Sequence, residues 1–259
     1  MKFFWIKAAV VLLIAGAGAV GTVRFLHNPD FAVRRLYLLG GVEGSSVAEV
    51  SQAVASAVPG NLLFTDIDAV SEAVEALSWV KSARVTRVWP DGLRIDIDRY
   101  RAVAIWEDGR LVAADGRLFT ANDESIERLA QMPMFSGDPA YAAQAAAYLP
   151  AFQAAVAGLK ARLKAVHVSF RGSWSVTAES QTLPAVTIEL GRAFTTGTPV
   201  EKLQRVVRHF DHLCRVMQGY PQQIDARYRD AFAAQLPDRA SVELWAKEHA
   251  PQKVKKGEG

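Results

Sequence analysis

A chain of 259 residues, half of them hydrophobic, can hold one or two domains with their own cores and is too apolar to be read as disordered. Its net charge of +3 and pI near 9.0 are spread along the chain, which argues against a nucleic-acid-binding stripe. The single cysteine, Cys214, excludes an internal disulfide and any Cys-x-x-Cys site; set among Phe210, Leu213 and Val216 at helical spacing, it reads as a small core residue.

In chain order, residues 1–7 are expected to be cytoplasmic and residues 8–26 to form a transmembrane helix. Ala8 to Val23 carries no charge, and Lys7 can snorkel so that Phe3 to Val23 reaches the roughly 20 residues a hydrocarbon core requires. Lys2 and Lys7 favour a cytoplasmic N-terminus, although Arg24, Arg34 and Arg35 on the far side weaken that bias. A cleaved signal peptide is the competing reading, because Ala15-Gly16-Ala17 and Ala17-Gly18-Ala19 resemble cleavage sites. Either way, everything after His27 leaves the cytoplasm. Gly16 to Gly21 matches a dinucleotide fingerprint by letter, but no strand precedes it, so the match is accidental.

Phe31 to Leu39 predicts a first strand, ended by Gly40-Gly41. Ser46 and Glu49 have the spacing of a capping box opening a helix whose buried face is Val47, Val50, Val54 and Val58. Pro59-Gly60-Asn61 stops it, and Asp66 or Asp68 caps a second helix with Ile67, Val70, Val74 and Leu77 inward. Val80 to Val88 and Leu93 to Ile97 then flank the turn Pro90-Asp91-Gly92, the pattern of a hairpin. Leu93, Ile95 and Ile97 alternate with Arg94, Asp96 and Asp98, so one face is dry and the other wet. Arg87 and Val88 break the period as a bulge would. The order β-α-α-β-β makes a small α+β domain.

A β-α-α-β-β unit just outside a single membrane helix resembles a POTRA domain. Leu77-Ser78-Trp79-Val80, followed by Val85-Thr86-Arg87-Val88-Trp89-Pro90-Asp91-Gly92-Leu93, is similar to the hairpin signature of the bacterial cell-division family FtsQ, also called DivIB. Ala104 and Trp106 continue the family pattern, while Arg99 and Ala102 depart from it. Leu111 to Phe119 resembles the first hairpin of the family's second, β-rich domain, with its turn at Gly116. Met132 to Gly137, Arg171-Gly172-Ser173-Trp174, Leu190-Gly191-Arg192 and Asp225-Ala226-Arg227-Tyr228 resemble weaker family motifs in the family's order. Between them, Tyr141 to Leu163 reads as a helix interrupted by Pro150. Ala165 to Phe170, Ser173 to Ala178 and Val186 to Leu190 read as strands, and Pro199 to Gln218 as an amphipathic helix. The expected organisation is α+β: an N-terminal transmembrane helix, a POTRA domain over 31–100, a mixed β-rich domain with flanking helices over 101–238, and a polar tail over 239–259, expected to be disordered.

Candidate chemistry is sparse. Ser78 and Lys81 spell Ser-x-x-Lys, but at a helix-to-strand passage and with no Lys-Thr-Gly in the chain. His209 and His212 lie three apart on a helix without an evident third metal ligand. Asp96 and Asp98 share a wet strand face, where carboxylates do no acid–base work. Trp79, Trp89 and Trp106 could anchor a partner, with core packing the better reading for Trp79. No enzyme, cofactor or metal is therefore expected; an exported cell-wall enzyme or a periplasmic POTRA protein freed from its signal peptide stands as the alternative.

The resemblance implies a divisome scaffold in the bacterial inner membrane at the division septum. It would link early ring components to septal peptidoglycan synthesis by recruiting the FtsB–FtsL pair, with FtsK and FtsW as further candidate partners. It also implies two sites. A POTRA docking face would use Ile67, Ser82, Val85 and Arg87, with Val85 equally readable as core. A C-terminal sheet edge would take up a segment of FtsB by strand addition, using Arg227, Tyr228, Phe232 and Ala233. The residues Phe232 to Leu236 carry neither lysine nor proline, the usual guards of an open edge.

Overall fold

The computed structural model describes residues 16, 32–58, 60–120, 126–181, 184–193 and 197–249. The expected cytoplasmic segment and, apart from Gly16, the transmembrane segment 8–26 lie outside the described residues, as does the stretch from 250 onward. Among the described residues no helix is long and apolar enough to cross a membrane. The chain divides into two units near Tyr100.

The first unit runs β1 (Arg35–Leu39), α1 (Ser45–Ala57), α2 (Ile67–Glu75), β2 (Val80–Val88) and β3 (Gly92–Arg99). Its sheet order is β1-β3-β2, with β1 parallel and β2 antiparallel to β3. The turn itself seats β1: Asp91 O accepts from Arg34 N and Arg35 N at 2.9 and 3.2 Å, and the Asp91 carboxylate pairs with the Arg35 guanidinium. Leu93, Ile95 and Ile97 form the dry face and are buried with Val50, Val54, Val70 and Val74 from the helices. Asp66 caps α2, its side chain accepting from Asp68 N at 3.0 Å and Ala69 N at 3.4 Å.

Three local expectations fail in this unit. The capping box does not form: α1 begins at Ser45 with Gly44 at the N-cap and no side-chain cap bond. Glu49 instead accepts the indole N–H of Trp79 at 2.7 Å, because a buried tryptophan N–H needs an acceptor more than a solvated helix end does. With the helix so rotated, Ser46 is buried and Val47 exposed. The ladder irregularity falls between Val80 and Ser82, not at Arg87 and Val88; Arg87 breaks the alternation because it has partners of its own, described below.

The second unit continues through β4 (Ala102–Trp106), β5 (Leu111–Ala113), β6 (Leu118–Phe119), α3 (Ile126–Gln131), β7 (Met134–Gly137), a 3-10 turn (Pro139–Tyr141), α4 (Ala142–Ala157), β8 (Arg162–Val168), β9 (Ser173–Glu179), β10 (Val186–Arg192), α5 (Pro199–Met217), β11 (Gln223–Asp225), β12 (Ala233–Ala234) and α6 (Arg239–Glu248). One mixed sheet orders them β12-β11-β10-β9-β8-β7-β4-β5-β6. Alternation along β8, β9 and β10 gives one apolar face, on which α4 and α5 lie. Trp174 is fully buried there, with Tyr141, Tyr148 and Phe152 rings 6.2, 5.4 and 6.2 Å away at steep or tilted angles. Gly116 has φ +84° in its hairpin turn, and a Cβ would meet the Ala143 backbone at 2.1 Å, so the turn packs directly on α4.

Pro150 sits inside α4 without interrupting it, and Leu163, expected in the helix, belongs to β8. A mid-helix proline costs about 3 kcal/mol, but Leu149 and Phe152 beside it are buried and hold the helix through it. The segment expected as a disordered tail begins with a ten-residue helix, α6. Asp238 caps it by accepting from Ser241 N at 2.8 Å, and Trp245 packs edge-on against Tyr220 with centroids 5.2 Å apart. Polar composition concealed one apolar stripe.

Candidate functional site: a C-terminal sheet edge

Among the described residues β12 pairs with β11 alone and ends the sheet. The two strands are antiparallel, with Ile224 opposite Ala234 and Asp225 opposite Ala233. Gln235 N donates to Gln223 O at 3.0 Å. Because an antiparallel ladder alternates by two, Ala233 turns its N–H and C=O toward β11, whereas Ala234 turns both outward. Ala233 is thus an edge residue by position, but its backbone already serves the internal ladder. The open donor and acceptor belong to Ala234, a distinction invisible until the pairing partner is known.

The loop from β11 to β12 carries the remaining expected residues. Tyr228 is 57 % exposed, so it does not close the core. Phe232 is half-buried: its ring lies against the core and covers the Arg205 guanidinium, 5.2 Å from its centroid. Arg227 is exposed but not idle. Its Nε donates to Asp225 Oδ1 at 2.9 Å and its terminal nitrogen to Oδ2 at 2.6 Å. That hydrogen-bonded pairing holds the Asp225 carboxyl below the usual carboxylate range and raises Arg227 above its own. The stem of Arg227 lies on Gly191, where φ is +68° and a Cβ would come within 2.8 Å of Cγ. Here the Leu190-Gly191-Arg192 strand end has its physical purpose.

Sequence reasoning missed two residues on α5. Lys202 is only 2 % exposed, and its Nζ donates to Leu190 O at 2.9 Å and Arg192 O at 2.8 Å. Burial without a carboxylate lowers its pKa. Arg205, one turn on, gives its terminal nitrogens to Tyr228 O at 2.6 Å, Ala226 O at 3.3 Å and Arg229 O. A charged residue flanking an amphipathic stripe ordinarily reads as solvated, and no pattern separates these two from Arg208 or Arg215. The head of the same helix carries a capping box, Thr198 with Glu201, whose spacing the sequence also shows.

The POTRA-type candidates are less united. Ser82 is exposed and Ile67 half-buried, while Val85 is in the core and offers no side-chain surface. Arg87 donates to Leu62 O at 3.2 Å and Thr65 O at 2.5 Å, which fixes the loop ahead of α2. Arg87 and Ile67 therefore share one end of the unit; Ser82, five residues up a strand rising about 3.3 Å per residue, lies roughly 16 Å away. The β2 edge between them is closed at Ala83, whose N–H goes to Glu75 at 2.8 Å and whose C=O accepts from Ser71 at 2.7 Å.

The other candidate groups form no reaction centre. Cys214 is buried, and burial pushes its thiol up to about 12. Lys81 is paired with Asp98 at 3.0 Å, and Ser78, His209 and His212 are exposed. Among the described residues no three His, Cys, Asp or Glu side chains come together as a metal site. Trp79 and Trp106 are buried, whereas Trp89 is 56 % exposed.

Comparison with known proteins gives these features a context. The family described as "POTRA domain, FtsQ-type" matches residues 33–100, and "Cell division protein FtsQ/DivIB, C-terminal" matches 104–227. A protein named "Cell division protein FtsQ" from Burkholderia pseudomallei is 30 % identical over 227 residues, covering 88 % of each chain. This chain belongs to the FtsQ family. Proteins of the same name from Neisseria gonorrhoeae (26 % over 244 residues, 92 % of this chain and 95 % of the relative) and Allochromatium vinosum (27 % over 225 residues, 86 % of each) are similar along nearly the same span. The first unit is thus the POTRA domain. The matched C-terminal region stops at Arg227, so β12 and α6 lie beyond it.

Proposed function

We propose that this FtsQ-family protein is a non-catalytic, single-pass scaffold of the division septum, which recruits the FtsB–FtsL pair through the open edge of β12. The observation that carries the reading is the outward-turned backbone of Ala234 on a terminal strand, with exposed Tyr228 in the loop before the strand and exposed Leu236 after it. An extended partner segment adding there would gain main-chain hydrogen bonds from the edge and selectivity from the neighbouring side chains. Arg227 would meet the partner already paired with Asp225, so an acidic partner residue would share its guanidinium instead of neutralising a free charge. The POTRA domain contributes a second docking face around exposed Ser82, and the segment 8–26 the membrane anchor, N-terminus inside.

The test is binding of purified FtsB–FtsL to the full chain, comparing Ala234→Pro with Ala233→Pro. Ala234→Pro removes the outward donor and leaves the internal ladder; binding should fall while circular dichroism stays that of the parent. Ala233→Pro strikes the ladder to Asp225 and should disturb the fold of the hairpin. Tyr228→Ala and Arg227→Glu complete the set. If folded Ala234→Pro, Tyr228→Ala and Arg227→Glu all bind like the parent, β12 is not the partner edge. A reporter active only outside the cytoplasm, fused after Gly259, checks the topology; a mature chain starting near Ala17 or Ala19 would overturn the anchor.

A further inference from the structure

Resting on that reading of the edge, we propose that Arg205 is the positioning residue of the partner surface: by gripping the carbonyls of Ala226, Tyr228 and Arg229 it holds Tyr228 where an incoming strand meets it. Most of the loop from 226 to 232 lies outside any ladder. Two of its other backbone bonds, Ala226 N to Glu189 O at 2.8 Å and Arg227 N to the Asp225 side chain at 3.0 Å, lie at its start. Beyond Arg227 the chain runs exposed to Ala231, with no ladder until β12. An exposed tyrosine on such a loop samples many positions, and ordering it on binding would cost affinity.

Arg205 removes that cost in advance. Its planar fork presents several donors in fixed directions, which suits adjacent carbonyls that curve around it, and charge-assisted bonds are the stronger kind. Phe232 lies over the same guanidinium, so one side chain joins both ends of the loop: the carbonyls of 226, 228 and 229 and the ring just ahead of β12. One turn earlier on the same helix, Lys202 fixes Leu190 O and Arg192 O on either side of Gly191, the floor under Arg227. The two cations of α5 thereby set the floor and the rim of one surface. Among the described residues neither donates to a carboxylate, and both satisfy irregular backbone.

The role is one of positioning, and it separates from general stability by coupling. In full chain with purified FtsB–FtsL, Arg205→Met keeps the apolar stem and loses the fork; affinity should fall about tenfold, as it should for Tyr228→Ala. If Arg205 acts through Tyr228, the double variant should lose about tenfold in all, not the hundredfold of independent sites. Arg205→Lys keeps the charge but gathers its donors on one nitrogen, where Arg205 uses two held apart by the planar fork, so it should rescue only partly. Hydrogen exchange should quicken across 226–232 and stay unchanged in β8 and β9. Should Arg205→Met unfold the sheet, Arg205→Lys carries the same cycle. Parent-like binding by the folded Arg205 variant, or additive losses, with Tyr228→Ala impaired, overturns the positioning role and leaves the edge standing. Parent-like binding by Tyr228→Ala, Arg227→Glu and Ala234→Pro overturns the edge, and the positioning role with it.

Discussion

Arg87 gives the POTRA domain its sharpest test, because two readings of it predict opposite behaviour. As a docking residue, it could be reversed to glutamate with the fold intact. The geometry says otherwise: its guanidinium holds Leu62 O and Thr65 O, and both residues are buried. Arg87→Met would remove two charge-assisted bonds and leave two carbonyls without a donor. Net values of about 1.5–3 kcal/mol for such bonds, discounted because Arg87 is only half-buried, give a loss of about 2–4 kcal/mol for this domain. Arg87→Glu adds repulsion between its carboxylate and the same carbonyls and should be worse. With two units in the chain, a single unfolding midpoint would mix them, so the assay is hydrogen exchange read by peptide. Amides of α2 and β3 should exchange about thirtyfold faster or more, while β8 and β9 keep the parent rate. Unchanged protection in α2 would refute the clamp and return Arg87 to the docking face. Until then a septal localisation defect in Arg87→Glu reports misfolding, and Ser82→Glu is the variant that tests docking.

Other expectations follow from burial and capping. Trp174→Ala should cost about 3–5 kcal/mol, seen as a lower denaturant midpoint for the second unit, because its aromatic neighbours cannot close the space. Thr198→Ala should cost about 1 kcal/mol by loss of the capping box, measured as roughly fivefold faster hydrogen exchange at the start of α5. Cys214, with its thiol raised to about 12 by burial, should resist alkylation at pH 8 until the chain unfolds. Since its folded pKa lies above the ordinary 9.0, its contribution to stability is complete below pH 9 and is lost as pH climbs toward 12; Tyr220, raised by burial and Glu248, acts in the same direction.

The strands and helices were legible where burial and periodicity agreed. The Val80-to-Ile97 hairpin, the strands around Trp174 and the helix from Pro199 all follow from alternation or a 3.6-residue stripe. What escaped depended on partners remote in sequence. Glu49 had the spacing of a cap, yet Trp79, thirty residues on, took its carboxylate. Which of Ala233 and Ala234 faces outward is set by register with Gln223 to Asp225, so no property of either alanine encodes it. The helix after Asp238 was hidden because Leu244 and Trp245 make a stripe too short to stand out among charges. Arg99, a departure from the family pattern, proves to lie over the Trp79 ring at 5.0 Å and to hold Gly41 O at 3.0 Å.

Arg87, Arg99, Lys202 and Arg205 have something in common that composition could not reveal. Each extends from a strand or helix to carbonyls of irregular backbone: loop carbonyls for Arg87, Arg99 and Arg205, and the irregular end of β10 for Lys202. Surface ion pairs such as Arg162–Glu179 are attractions between net charges and fade with salt. A cation bound to carbonyl dipoles at contact distance is a short-range arrangement, and screening acts over about 10 Å at 0.1 M salt and about 3 Å at 1 M. Raising salt over that range should therefore leave exchange protection at 226–230 and 61–65 within about twofold of its starting value, since a direct hydrogen bond leaves no space for an ion between donor and acceptor. The same series should weaken any partner attraction that depends on net charge, so a fall in FtsB–FtsL affinity with loop protection preserved would separate steering from positioning. Loops that loosen in step with the loss of affinity would show that long-range charge, and not the carbonyl clamps, holds the surface in place.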